Sequence, residues 1–379
     1  MRLVLSLMVR LIVAIAITLT VVAVPLGRHN LRYQEGRRLE APRFQPFNGF
    51  LFGVADSLFR VLDLETGTTK PIRLADGGHL MHAACSPWRD GQGRTHVVGV
   101  WTSAAAAGPQ VVGLARYALP TGELLDQVDG LVSMPNDCPC WFPDTTLQAL
   151  FAGGDGELYR VSFESSRGGR VSGNASDIAP TPVAWPERLA LPGSPKLSEL
   201  TWPIDPRLGR RLIATLTYSN WDSTARKQPR SQLWWLRLTP DGSAIVEGGR
   251  LIRSCPASRE SEQVREERLA AVSSAVDGRL MVAYLVRRGA RSELDLQLAP
   301  LTIDPATGNP WVDEADAVTC ARNRTFAPLA FSSDGCWIYS FARWPLSPAS
   351  LERFSVVNLL HKRMQRFAVT MRSADLGTH

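Results

Sequence analysis

Three observations in this 379-residue chain predict an all-β fold. Short apolar runs rich in Val, Leu, Ile, Trp, Tyr and Phe alternate with turns rich in Asp, Gly and Pro. No long 3.6-residue period appears after the N-terminal segment, and one strand–turn–strand unit recurs from residue 46 to residue 370. Branched and aromatic side chains suit a pleated surface, while Gly and Asp supply the positive φ that tight hairpins need. Evenly spaced short strands read as a sandwich, barrel or propeller. A four-stranded unit repeated about six times selects the propeller, because such sheets must pack on their neighbours. The predicted architecture is a β-propeller of about six four-stranded blades, with seven as the alternative count, preceded by a transmembrane helix.

The chain begins with that helix. Residues 3–24 are largely apolar and uncharged apart from Arg10, and at 1.5 Å per residue they are long enough to cross about 30 Å of hydrocarbon. No clean A-x-A cleavage site follows, so residues 1–26 read as a signal anchor or an uncleaved signal peptide. Residues 27–45 are basic and polar and read as a juxtamembrane linker. The net charge of +6 is concentrated partly in this region, and there is no nucleic-acid motif. The basic excess is therefore assigned to a membrane surface and not to nucleic acid. The expectation is a single-pass membrane protein with its propeller outside the cytoplasm. Six cysteines are compatible with disulfides there, but a chain of this size has core enough without them.

The repeat is clearest at residues 140–163, CWFPDTTLQALFAGGDGELYRVSF, which reads as three short strands and two turns. The first unit is incomplete: strands are expected at 47–54, 58–64 and 71–74. A strand from the other terminus, at 367–369 or 39–44, would complete it. The second unit runs from His82 through the strands at 95–101 and 111–119. The fourth, fifth and sixth begin near Leu197, Arg268 and Pro328. Asp90-Gly91, Asp277-Gly278 and Asp334-Gly335 turn after first strands, whereas Pro240-Asp241-Gly242 and Ala306-Thr307-Gly308 turn after third strands. Residues 258–269 are the best helix candidate, though short and charged enough to suit a loop. Residues 164–196 form a long Gly-, Ser- and Pro-rich loop with a fourth strand expected near Val183. Residues 371–379 read as a tail.

These residues carry a resemblance. W-F-P-D at 141–144, followed by L-F-A-G-G-D-G-E-L-Y-R-V at 150–161, resembles WD40-like and TolB-type propeller repeats, in which a Pro-Asp turn separates the first two strands. F-S-S-D-G-C-W-I-Y-S at 331–340 and F-R-V-L-D-L-E-T-G at 59–67 are similar. The resemblance covers residues 47–370 and concerns fold. The G-H…W-D signature of WD40 repeats is missing, and the Trp221-Asp222 pair falls between strands.

Chemistry is sparse. There is no Walker loop, Rossmann fingerprint, H-E-x-x-H, EF-hand or G-x-S-x-G elbow. His79, His82 and Cys85 are spaced by three, which on a strand alternates faces and disfavours chelation. Polar residues stand just before or early in the expected first strands: His82, Asp137, Glu199, Glu267 and Arg324. First strands line a propeller's channel, so these five are the candidate binding residues at its mouth. The arrangement is similar to the axial sites of lactonases and sugar dehydrogenases, which implies calcium or a quinone among carboxylates. Asp137, Glu199 and Glu267 would supply weak oxygen ligation for calcium. No resident metal or other cofactor is expected, and no catalytic residue is assigned. Eleven tryptophans are many, and Trp234 and Trp235 must face opposite sides of one strand.

The function expected from this reading is a membrane-anchored, extracytoplasmic, non-enzymatic scaffold that binds a protein or a small ligand. The alternative is an enzyme of the lactonase, glycosidase or quinoprotein type with an axial site.

Overall fold

The computed structural model describes residues 50–373 except 56–57, 64–67, 72–78, 106–107, 120, 130, 132, 134, 136–138, 145, 164–179, 187–194, 204, 219–229, 254–263, 275–277, 290–292, 325–328, 332–334, 343–349, 357–365 and 369–371. It gives the backbone alone for 50–82, 101–112, 129, 265, 323–324, 341–342, 350–353 and 366–373. Among the described residues no helix is long and apolar enough to cross a membrane, and the span at 3–24 lies outside them.

The described residues are all-β, built from successive units of mostly antiparallel strands, the fourth to sixth of which run together as one 12-stranded sheet. β1 (Phe50–Ala55), β2 (Leu58–Asp63) and β3 (Thr68–Pro71) open the first unit. β4 (His79–Arg89), β5 (Thr95–Ala105), β6 (Gly108–Leu119) and β7 (Glu123–Asp129) form the second. β8 (Cys140–Trp141), β9 (Gln148–Ala152), β10 (Leu158–Ser162) and β11 (Thr181–Pro182) form the third. β12 (Lys196–Thr201), β13 (Arg211–Thr217), β14 (Ser231–Leu238) and β15 (Ile245–Arg250) form the fourth, and β16 (Ile252–Arg253) follows it.

The fifth unit is β17 (Val264–Ser274), β18 (Leu280–Arg288), β19 (Leu294–Pro300) and, after a hairpin of β20 (Thr302–Ile303) and β21 (Pro310–Asp313), β22 (Val318–Arg324). β23 (Ala330–Phe331), β24 (Trp337–Ala342), β25 (Ser350–Ser355) and β26 (Arg366–Ala368) complete the sixth. β27 (Arg372–Ser373) then pairs in parallel with β3, Arg372 opposite Thr68 and Ser373 opposite Thr69.

That last pairing answers the incomplete first unit. Its fourth strand does come from the other terminus, but from residues 372–373, which the sequence had assigned to a tail. Residues 367–368 belong to β26 of the sixth unit. Residues 39–44 lie outside the described residues. The candidate helix at 258–269 is corrected as well: Val264 onward is strand β17. Glu267 and Arg268 pair with Arg250 and Glu199 across a sheet joint, and Glu266 pairs with Arg287 on the adjacent strand.

Central strands are buried on both faces, as stacking between two neighbours requires. On β18, Val282, Tyr284 and Val286 join Ile213, Leu233 and Trp235 of the fourth unit. The alternate residues Met281, Ala283 and Leu285 join Phe331, Ile338 and Phe354 of the sixth. The same period-two division sets Leu150 and Leu158 against Leu212 and Leu236, and Phe151 and Val161 against Val98 and Leu114. Trp235 and Trp234 obey it too, packing on opposite sides of β14. First strands touch in sequence: β1 packs on β4, β4 on β8, β12 on β17 and β17 on β23.

Two glycines make these joints close enough. A Cβ on Gly335, at φ +67°, would lie 1.9 Å from the Ser274 carbonyl oxygen of the preceding unit. One on Gly242, at φ +72°, would lie 2.4 Å from the Phe142 ring.

Candidate functional site

Glu199 lies on β12 and Glu267 on β17, adjacent first strands that are both irregular. β12 loses register between Ser198 and Thr201. β17 loses it between Val264 and Glu266, and again between Arg268 and Ala270. A bulge re-aims a side chain that a regular pleat would alternate away. At these bulges Glu199 has φ 51° and Leu269 has φ 45°, the left-handed region that costs a non-glycine residue about 1–3 kcal/mol.

The two strained residues are bonded to each other. Leu269 N–H donates to Glu199 Oε2 at 3.1 Å, and Thr215 Oγ1 donates to the same oxygen at 2.7 Å. Arg268 forms an ion pair with Glu199 Oε1. Glu267, 1% exposed, accepts from Leu233 N–H at 3.1 Å through Oε2 and pairs with Arg250 at 2.8 Å through Oε1. Its backbone carbonyl accepts from Ser231 Oγ at 3.0 Å. Thr201 Oγ1 donates to the Ala270 carbonyl at 2.6 Å, and Glu266 pairs with Arg287 at 3.0 Å. Burial raises the Glu267 carboxyl above its ordinary value, opposed by the Arg250 charge beside it.

Both carboxylates thus bridge the fourth and fifth units, and every oxygen is held. A proton-transfer or ligating role for either would compete with an arginine at Oε1 or with backbone and hydroxyl donors at Oε2. The other expected site residues are placed differently. His82 falls in the irregular stretch of β4 between Met81 and Ala84, described by its backbone. Asp137 lies outside the described residues. Arg324 ends β22, the fourth strand of the fifth unit, and does not lead into a first strand; β23 begins only at Ala330. Arg324 therefore belongs to an outer strand and not to the entry of an inner one. Among the described residues no group of three or more His, Cys, Asp or Glu could hold a metal ion.

The partners Arg268, Arg250, Thr215 and Ser231 were not anticipated. Their signal was present: R-E-E-R at 265–268 opens the otherwise apolar strand β17, and Glu266, Glu267 and Arg268 are accommodated there by oppositely charged partners. Burial pushes the Cys140 thiol up to about 12.

No family model and no curated protein matches this chain. Among solved structures it is similar to TolB from Acinetobacter baumannii, at 14% identity and TM-score 0.45, over 82% of this chain and 62% of that one. The chain therefore spans less than two thirds of that TolB. It is also similar to an oligogalacturonate lyase in complex with manganese, at 12% identity and TM-score 0.43, over 89% of this chain and 80% of the lyase. A periplasmic gluconolactonase from Pseudomonas aeruginosa matches at 15% identity and TM-score 0.40, over 81% of this chain and 90% of that one. The resemblance to TolB-type and other propeller proteins is one of fold.

Proposed function

We propose that the chain is a β-propeller of six four-stranded blades, anchored in a membrane by residues 3–24 and acting outside the cytoplasm as a non-enzymatic scaffold for a protein or small ligand. The loan of β27 to the first unit supports a closed ring of six. The observation that carries the binding reading is the engagement of Glu199 and Glu267 by Arg268 and Arg250. The carboxylates best placed for axial chemistry already serve the joint between two blades. Binding is then left to the loop faces and the long insertions.

The rival reading is an axial enzyme of the lactonase, glycosidase or quinoprotein type. It draws on the paired left-handed residues Glu199 and Leu269, because backbone strain gathers at functional sites. Thermal unfolding of the full chain across a calcium titration separates the two. The scaffold reading expects a flat response, unchanged by Glu199→Gln. A saturable stabilisation, abolished by Glu199→Gln and by Asp137→Asn, would establish the rival. Flotation with lipid vesicles tests the anchor: the full chain should float, and the chain lacking residues 1–26 should not.

A further inference from the structure

The second unit holds a buried chain of charged groups that the proposed function leaves unused. Asp90, in the turn after β4, accepts from the backbone N–H groups of Gln92 and Arg94 at 2.9 Å each, and from Arg94 Nε at 2.9 Å. His96 Nε2 lies 2.9 Å from Asp90 Oδ2, and His96 Nδ1 lies 2.9 Å from Arg116 Nη1. Arg116 pairs with Asp126 on β7, whose side chain is fully buried and whose Oδ1 has no partner among the described residues. The chain therefore crosses the unit from its first turn to its outer strand.

Guanidinium can only donate a hydrogen bond, so Nδ1 of His96 must accept, and the ring's one hydrogen sits on Nε2 facing Asp90. The imidazole is neutral. The charged groups around it are Asp90 and Arg94 from the turn, Arg116 from β6, and Asp126 and Glu123 from β7, Glu123 acting through Arg94 at 3.2 Å. The third unit faces it with Trp141 at 6.4 Å, and Trp88 stands edge-on at 5.1 Å. A second ring proton would meet the Arg116 donor head-on, in a site where His96 is 3% exposed.

We propose that these groups form an acid-operated latch: a proton from solvent, taken up at Nδ1 of His96, displaces the Arg116 guanidinium and frees β7, exposing the edge of β6, while the bond to Asp90 holds the β4–β5 turn. Burial, with the Arg116 charge adding to it, holds the ring below its ordinary value against the pull of Asp90. The latch is therefore fully closed above about pH 6.5 and loosens as pH falls toward the folded-state value. If the ring protonates only when the unit opens, the opening constant rises about tenfold between neutrality and pH 5.5.

Hydrogen exchange on the full chain at pH 7.5 and 5.5, corrected for intrinsic rates, tests this. Residues 114–128 should exchange about tenfold faster at the lower pH, while residues 280–300 show no such acceleration. His96→Gln keeps a donor toward Asp90 and an acceptor toward Arg116 but cannot titrate, so it should abolish the step. Uniform acceleration, no acceleration, or a step that persists in His96→Gln would each overturn the latch. Should His96→Gln fail to fold, the contrast between the two segments of the unsubstituted chain decides alone.

Discussion

The joint between the second and third units and the joint between the fourth and fifth are built from different chemistry. The former is aromatic. Trp141 meets Trp88 at 5.5 Å and Phe163 at 5.8 Å, and Phe151 stacks on Tyr159 at 5.3 Å. Its directional bonds across the joint include Trp141 Nε1–H to the Ala84 carbonyl at 2.9 Å and Trp88 Nε1–H to the Phe142 carbonyl at 3.3 Å. The latter joint adds to its apolar cluster the buried Glu199 and Glu267, their arginines, and the parallel pairing of β16 with β21. Apolar packing gives free energy without fixing angles. Hydrogen-bonded charge gives little net stability but fixes geometry, and losing one partner is costly. The comparison teaches that one repeat can be joined for strength in one place and for register in another.

The aromatic joint should break most severely. Trp141→Ala is expected to cost about 3–5 kcal/mol in urea unfolding, from the cavity and the lost contacts. A cost below about 1 kcal/mol would show that the joint is not built on this ring. Glu199→Ala should cost about 3 kcal/mol, because it takes the acceptor from Thr215 and the Leu269 N–H and the carboxylate from the Arg268 ion pair. If removing Arg268 as well does not recover part of that loss, the pair is not coupled.

Gly335→Ala sharpens the comparison through sterics. It should cost about 2 kcal/mol or more, against about 1 kcal/mol for Gly278→Ala, which has φ +79° but nothing within 4 Å of a new Cβ. Equal costs would mean that strain, and not the Ser274 carbonyl, decides both. The smallest effect is expected at the exposed rim, where Arg210→Ala breaks the 2.9 Å pair with Asp144 for about 0.5 kcal/mol or less.

The two regions should also differ in the sign of their pH dependence. His96 titrates below its ordinary value in the fold, so its contribution is present above about pH 6.5 and lost on acidification. Glu267 titrates above its ordinary value, so its contribution is present below about pH 4.5 and lost as pH rises through the folded value. Glu267→Gln should therefore cost more at pH 4 than at pH 7, and chemical denaturation at the two values checks it.

Strand positions were legible because alternation and turn chemistry are local. Residues 148–152 and 158–162 fall where the runs and the Gly153–Gly156 turn put them. The site was legible in part: Glu199 and Glu267 stood out as polar groups opening apolar strands. What they do was not, because their partners lie in other strands, Arg268 on β17 for Glu199 and Arg250 on β15 for Glu267. The chain from Asp90 to Asp126 was hidden for the same reason. Asp90 read as a turn former and His96 as the start of a strand, and only the antiparallel register of β5, β6 and β7 brings His96, Arg116 and Asp126 into line.

The claim on which the account rests is that the C-terminal strand closes the ring on the first unit. Ser373 and Thr69 are register partners in that pairing. Combining Thr69→Cys with Ser373→Cys and mapping disulfides by peptide mass spectrometry tests it directly. The account predicts an intramolecular cross-link in the folded monomer and a higher Tm than the reduced form. Absence of that cross-link, or its appearance only between molecules, would contradict closure.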